Sequence, residues 1–181
     1  VHIQEAVLTG IWRVRTSDDN GIVISDMIEV ADIPSIVRQQ AFANSSPLDT
    51  NLEVIPPGVL NVPPLIIELA DQIQNWKVGD VNHVINLTLL PLSTEDLNFL
   101  GHRLGVGPIT ILSRGYGNCR IGSTNKMNVW WVKFYNSEDK LILNTIEVVD
   151  VPGVAIAAPE DIIDSAERLK EILDVYSVVV S

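Results

Sequence analysis

The sequence predicts an α+β fold, an antiparallel sheet with flanking helices, present as one full and one partial copy. Three observations predict it. Ile11-Trp12-Arg13-Val14-Arg15 and Ile28-Glu29-Val30-Ala31-Asp32-Ile33-Pro34 recur as Val129-Trp130-Trp131-Val132-Lys133 and Ile146-Glu147-Val148-Val149-Asp150-Val151-Pro152. The pairs Trp12/Trp130 and Pro34/Pro152 share one offset, 118, with no gap between them; self-similarity at a fixed spacing marks a repeated unit. Apolar residues at helical spacing then precede and follow the second hairpin. Finally, 181 residues with 46% hydrophobic and 19% charged residues supply a core for one or two domains.

Each repeated stretch reads as a β-hairpin closed by a turn. Asn20-Gly21 turns the first, since both residues tolerate positive φ. Asn136 to Asp139 turns the second. Pro34 and Pro152 end the second strands because proline cannot donate to a ladder. Period-2 alternation places Trp12 and Val14 on one side, with Trp130, Val132 and Phe134 as the equivalent set, and predicts that this side faces the core. Trp131 falls on the other side, where its counterpart is Arg13. It either packs against another element or is an exposed aromatic anchor for a partner.

A short helix is expected at about Ser35 to Ala43, which closes a partial first repeat over 1–43. Residues 44–63 read as a proline-rich linker, and 64–181 as the complete second repeat. Within it, Ile66, Leu69, Ala70, Ile73 and Trp76 mark a helix over about Pro64 to Lys77. A strand is expected over His83 to Leu90. Ser93 caps a helix through Leu104, with Glu95 and Asp96 in its first turn and Gly105 as its stop. Strands follow at Ile109 to Arg114 and Cys119 to Gly122. A last helix, about Pro159 to Tyr176, carries Ile162, Ile163, Ala166, Leu169, Leu173 and Tyr176 as its buried stripe.

The formal net charge is −11, from 23 acidic and 12 basic residues. That argues against nucleic acid and against an anionic membrane surface, since both are held through Lys and Arg. No apolar run is long enough to span a bilayer. One cysteine excludes an intrachain disulfide, and a cytoplasmic setting is expected. The chain opens at Val1 rather than methionine, so a native start upstream is expected.

The segment Ser113-Arg114-Gly115-Tyr116-Gly117-Asn118-Cys119-Arg120-Ile121 draws most interest. Two glycines flank a tyrosine, and Arg114 and Arg120 flank the turn in an arginine-poor chain. Two arginines can grip a carboxylate. The plainer reading is a tight strand-to-strand turn with ordinary flanking charges. These glycines make no dinucleotide fingerprint, because strand leads to strand. Cys119 is a nucleophile only if a base lies nearby, and no local motif pairs it with a histidine. No Cys-x-x-Cys or His-x-x-x-His spacing suggests a metal site, and no cofactor is expected. Glu29, Asp32, Glu147 and Asp150 recur symmetrically, which suggests strand-end turn bonds over catalysis.

Arg114-Gly-Tyr-Gly-Asn-Cys-Arg-Ile121, Asn128-Val-Trp-Trp-Val132, Phe134-Tyr-Asn-Ser137, Leu141-Ile-Leu-Asn144, Ala158-Pro-Glu-Asp161 and Asp164-Ser-Ala-Glu-Arg-Leu169 closely resemble the C-terminal region of the HupH/HyaF-type hydrogenase expression/formation proteins. The match covers most of Pro64 to Leu173. The resemblance implies a non-enzymatic, chaperone-like accessory protein for maturation of an uptake nickel–iron hydrogenase, which binds the small-subunit precursor and works beside other maturation proteins. Arg114, Gly115, Tyr116, Gly117, Asn118, Cys119, Arg120 and Trp131 are the expected partner surface. The alternatives are a thiol-dependent maturation enzyme using Cys119, or a scaffold joining other maturation proteins. The partial repeat leaves strand edges that a neighbouring chain can pair with, so a homo-oligomer is a further expectation.

Overall fold

A short polar connection between two strands of fixed register makes a hairpin, and in both repeated stretches five residues, 18–22 and 136–140, join the strands. The structure is a computed structural model that describes residues 1–113 and 118–179. Contacts divide the chain into two units. One holds Val1–Val37 with the chain from Ile156 onward, and the other holds Arg38–Ala155. The sequence pattern groups the C-terminal helix with the second hairpin; its contacts group it with the first.

The first unit contains β1 (His2–Glu5), β2 (Ile11–Ser17) and β3 (Val23–Val30), paired antiparallel in that order. Trp12 lies opposite Glu29, Arg13 opposite Ile28 and Val14 opposite Met27. Val14 is buried, as the alternation predicts. The Trp12 indole N–H donates to the Ala31 carbonyl at 2.9 Å, which ties the strand end back onto the sheet. The same unit holds the last helix, α4 (Pro159–Val179). Ala157 N–H donates to Asp32 O at 2.9 Å just before it begins. Its predicted buried stripe is a correction: Ile163, Leu169, Leu173 and Tyr176 are all exposed. Helical periodicity defines an apolar face, but whether that face is covered depends on what packs there.

The helix after the first hairpin, α1 (Ser35–Gln40), is shorter than expected. Glu29 Oε1 accepts the Ser35 N–H at 2.8 Å at its start.

The second unit is built on a five-stranded antiparallel sheet. Its strands are β4 (His83–Asn86), β5 (Thr110–Ser113), β6 (Asn118–Ser123), β7 (Val129–Tyr135) and β8 (Leu141–Val148), ordered β4-β8-β7-β6-β5. Trp130 is opposite Glu147, Trp131 opposite Ile146 and Val132 opposite Thr145. Each pair is its counterpart in the first hairpin moved by 118 residues. The bulges also correspond, between Thr16 and Ser17 and between Phe134 and Tyr135. So do the turns. Asp18 Oδ1 accepts the N–H groups of Asn20 and Ile22, and Asn136 Oδ1 accepts those of Glu138 and Lys140. Gly21 and Asp139 both take positive φ, +81° and +57°.

Trp130, Val132 and Ile121 are fully buried on one face of this sheet, and Ile146 and Val148 on the other. Phe42 meets Trp130 edge-on with ring centroids 5.3 Å apart, a favoured aromatic arrangement. Trp130 Nε1–H donates to Asp150 O at 3.0 Å, much as Trp12 donates to Ala31.

Two helices belong to this unit, α2 (Pro63–Asn75) and α3 (Thr94–Leu104). Leu65, Ile66 and Leu69 are the buried side of α2. The strand expected to reach Leu90 stops at Asn86, whose side-chain oxygen accepts the Thr88 N–H and starts a 3-10 turn. This local bond competes with the ladder. α3 begins with the predicted Ser93 cap, completed into a capping box by Asp96.

The proline-rich segment read as a linker is fastened to the second unit. Lys126 Nζ donates to Ser46 Oγ at 2.9 Å and Pro47 O at 3.0 Å. Arg103 pairs with Asp49 and donates to Asn51 O at 2.7 Å. Asp96 Oδ1 accepts the N–H groups of Leu60, Asn61 and Val62. Prolines cannot donate, so the segment is held by side chains such as Asp96 and by isolated backbone bonds such as Ser46 N–H to Asn125 O at 3.0 Å.

Candidate functional site

The site forms where β6 and β7 run side by side. Their register sets Arg120 directly opposite Lys133, and Asn118 opposite Tyr135. Opposed strand residues share a face, so Arg120, Lys133 and Tyr135 form one surface row with Trp131. The Arg120 guanidinium lies 5.4 Å from the Tyr135 ring centroid, and Lys133 Nζ lies 4.5 Å from that of Trp131. Both are cation–π distances. Among the described residues, neither cation is in an ion pair with a carboxylate. Burial and the neighbouring Arg120 charge lower the Lys133 pKa. Like charges directly opposite on a sheet are destabilising, so an acidic partner would relieve a cost already built into the surface.

A cleft of about 420 Å³ adjoins this row, lined by Ser113, Asn118, Cys119, Arg120, Tyr135 and Asp139 among others. Asn118 Nδ2 donates to Asp139 Oδ1 at 3.3 Å across it. Cys119 lines the cleft but is only 3% exposed. Burial first, and the Glu147 charge second, push its thiol up to about 11. Burial also raises the Glu147 carboxyl above the usual range, partly opposed by the Thr145 hydroxyl that donates to it at 3.1 Å.

The expected site residues meet this geometry unevenly. Asn118, Cys119 and Arg120 lie together at the cleft. Arg114, Gly115, Tyr116 and Gly117 lie outside the described residues. Trp131 is half-buried, packed near Gly101 of α3, and its indole N–H donates to Asn144 Oδ1 at 2.6 Å. These are the contacts of a packed side chain, with Lys133 on its ring. Sequence reasoning did not include Lys133 and Tyr135. Both lie in runs that the sequence marks, but what sets them beside Arg120 is the register of β6 against β7. Among the described residues, no group of three His, Cys, Asp or Glu side chains is placed to hold a metal. No helix of the described residues is long and apolar enough to cross a membrane.

The family model described as "HupH hydrogenase expression protein, C-terminal conserved region" matches residues 1–47 and 59–176. The chain belongs to the HupH hydrogenase expression protein family. It is 47% identical over 174 residues to the hydrogenase expression/formation protein HupH of Rhizobium leguminosarum bv. viciae, covering 96% of this chain and 61% of that protein. It is 49% identical over 172 residues to HoxQ of Azotobacter vinelandii, covering 94% and 60%. Against the hydrogenase-1 operon protein HyaF of Escherichia coli it is 36% identical over 170 residues, covering 94% and 59%. This HupH-family chain thus spans about three-fifths of these relatives. A solved structure, the hydrogenase expression protein HupH from Thiobacillus denitrificans, aligns with a TM-score of 0.55 at 26% identity, over 63% of this chain and 93% of that one.

Proposed function

We propose that this chain is a non-enzymatic accessory factor in maturation of an uptake nickel–iron hydrogenase, and that it captures the precursor of the small subunit in the cytoplasm. Its relatives carry hydrogenase expression/formation names. The observation that supports a binding role is the Arg120–Lys133 couple beside Trp131 and Tyr135, which among the described residues forms no ion pair with a carboxylate. In a chain of net charge −11, such a positive row is a local exception. It suits an acidic or carboxylate-bearing segment of the precursor.

The environment of Cys119 favours binding over thiol chemistry. A thiol pushed up to about 11 and 3% exposed is a poor nucleophile at neutral pH. The test is capture of purified small-subunit precursor at low salt. Arg120→Glu with Lys133→Glu should weaken capture at least about tenfold, with an unchanged circular dichroism spectrum; tenfold is about 1.4 kcal/mol. No capture by the parent chain would overturn the reading. Unaltered capture by the double variant would remove this row from it. Normal capture combined with failed maturation in Cys119→Ala would favour the thiol enzyme.

A further inference from the structure

The two hairpins share register, bulge and turn, yet their surroundings differ. Ile146 and Val148 of β8 are fully buried. Their counterparts at the same register positions of β3, Ile28 and Val30, are 74% and 73% exposed. Two features of the second unit explain the difference. β4 pairs with the outer edge of β8, placing Ile85 opposite Ile146 and His83 opposite Val148, and α2 packs against β8. β3 is an edge strand.

An edge with this composition is unusual. Proteins blunt free edges with lysine, proline or a covering element, because unpaired N–H and C=O groups template further strand pairing. β3 contains neither lysine nor proline; its two charges, Asp26 and Glu29, are engaged by Arg13 and the Ser35 N–H, and Ile24, Met27, Ile28 and Val30 are all exposed. A concavity of about 320 Å³ lies beside it, lined by Ile11, Arg13, Asp26 and Ile28 among others. Exposed aliphatic residues along an open edge mark a surface that something covers.

We propose that a helix–strand segment upstream of Val1 in the longer protein pairs antiparallel with β3 and covers Ile28 and Val30. The occupant is argued from the constant offset. His83–Asn86 and Pro63–Asn75, carried back by 118 residues, both fall before residue 1. The curated relatives have the length to hold such a segment, since this chain spans 61% of one and 60% of another. The register follows. The upstream strand lies opposite Met27 to Val30, as β4 lies opposite Thr145 to Val148. The positions facing Ile28 and Val30 are apolar or amphipathic, as Ile85 and His83 are.

The test compares the 181-residue chain with the same protein extended upstream to the length of its relatives. Hydrogen exchange should slow at least about tenfold over Val23–Val30 in the longer protein, at low and high concentration alike, as newly paired amides do. Ile28→Asp should lower the melting temperature of the longer protein by several degrees and leave that of the 181-residue chain unmoved. Ile28→Thr serves the same comparison if the aspartate variant does not fold. Equal exchange in the two lengths would overturn the proposal. Protection that appears in the 181-residue chain and rises with its concentration would assign the edge to a second copy instead, and would equally overturn it.

Discussion

The Trp131 indole N–H donates to Asn144 Oδ1 at 2.6 Å, and this pair stands where Arg13 and Asp26 form an ion pair in the first hairpin. The same geometry serves a charged couple on an exposed sheet and a neutral couple beneath a helix. Burial explains the exchange, since an ion pair taken out of water loses more hydration than a neutral pair. Trp131→Phe keeps the ring but leaves the buried Asn144 oxygen without its donor. It should cost about 1–2 kcal/mol in urea unfolding. Trp131→Arg should cost more, because Gly101 of α3 packs near the ring.

Asp96 should control stability in acid. Its side chain is fully buried. Burial alone would raise its pKa, but N–H groups of Ser93, Asn61 and Leu60 outweigh burial and hold it at about 2. A depressed carboxyl contributes stability that is complete above its unfolded value, about 3.9, and is lost as pH falls towards 2. Asp96→Asn should therefore flatten the acid limb of the stability curve between about pH 4 and 2. At neutral pH it should cost about 2 kcal/mol, since one oxygen no longer accepts.

Two glycines are expected to resist substitution for different reasons. A Cβ at Gly107 would lie 2.6 Å from the Thr124 carbonyl oxygen, and backbone cannot yield as a side chain can. Gly107→Ala should cost about 3 kcal/mol. Gly10 sits at φ +81° with Ile162 Cγ1 3.0 Å from any added Cβ. Gly10→Ala should cost about 1–2 kcal/mol, and less when made in an Ile162→Ala background, where Cγ1 is gone. Thermal melts of the single and double variants measure both effects.

Cys119 should be slow to alkylate. With its thiol pushed up to about 11, the thiolate fraction at pH 7 is about one in ten thousand, and a free cysteine would hold about three in a hundred. Iodoacetamide labelling of the native chain should lag the denatured chain by at least about a hundredfold. The raised pKa also has a stability consequence. The folded state keeps its proton where the unfolded state has lost it, so stability falls as pH rises from about 8.5 towards 11. Cys119→Ala should remove that part of the alkaline limb, as read by denaturant midpoints.

Local chemistry made much of this fold legible. The positive φ of Gly21, the alternation of Trp130 and Val132, and the Ser93 cap each depend on neighbours within a few residues, and each is present; Asn20 does not share the positive φ, because the turn closes from the Gly21 N–H onto Asp18 O instead. Where a local bond and a pattern competed, the bond won: Asn86 accepting the Thr88 N–H ended β4 four residues early. The 118-residue offset, visible as matching letters, is a match of register and turn in three dimensions.

Long-range decisions were not legible. The Arg120–Lys133 couple exists only because β6 and β7 align in one register, and a shift of one residue would turn both side chains to the other face. The stripe from Leu169 to Tyr176 lies on a helix as its periodicity predicts, yet Leu169, Leu173 and Tyr176 are exposed, and periodicity alone does not fix how far a face is covered. Ile28 and Ile146 have the same letter, the same strand position and opposite burial. Hairpins, helices and the family resemblance can be read from the residues alone, because they follow from periodicity and short motifs. Which faces are covered and which charges meet is settled by packing, because burial and proximity are properties of what lies on an element and not of the element itself.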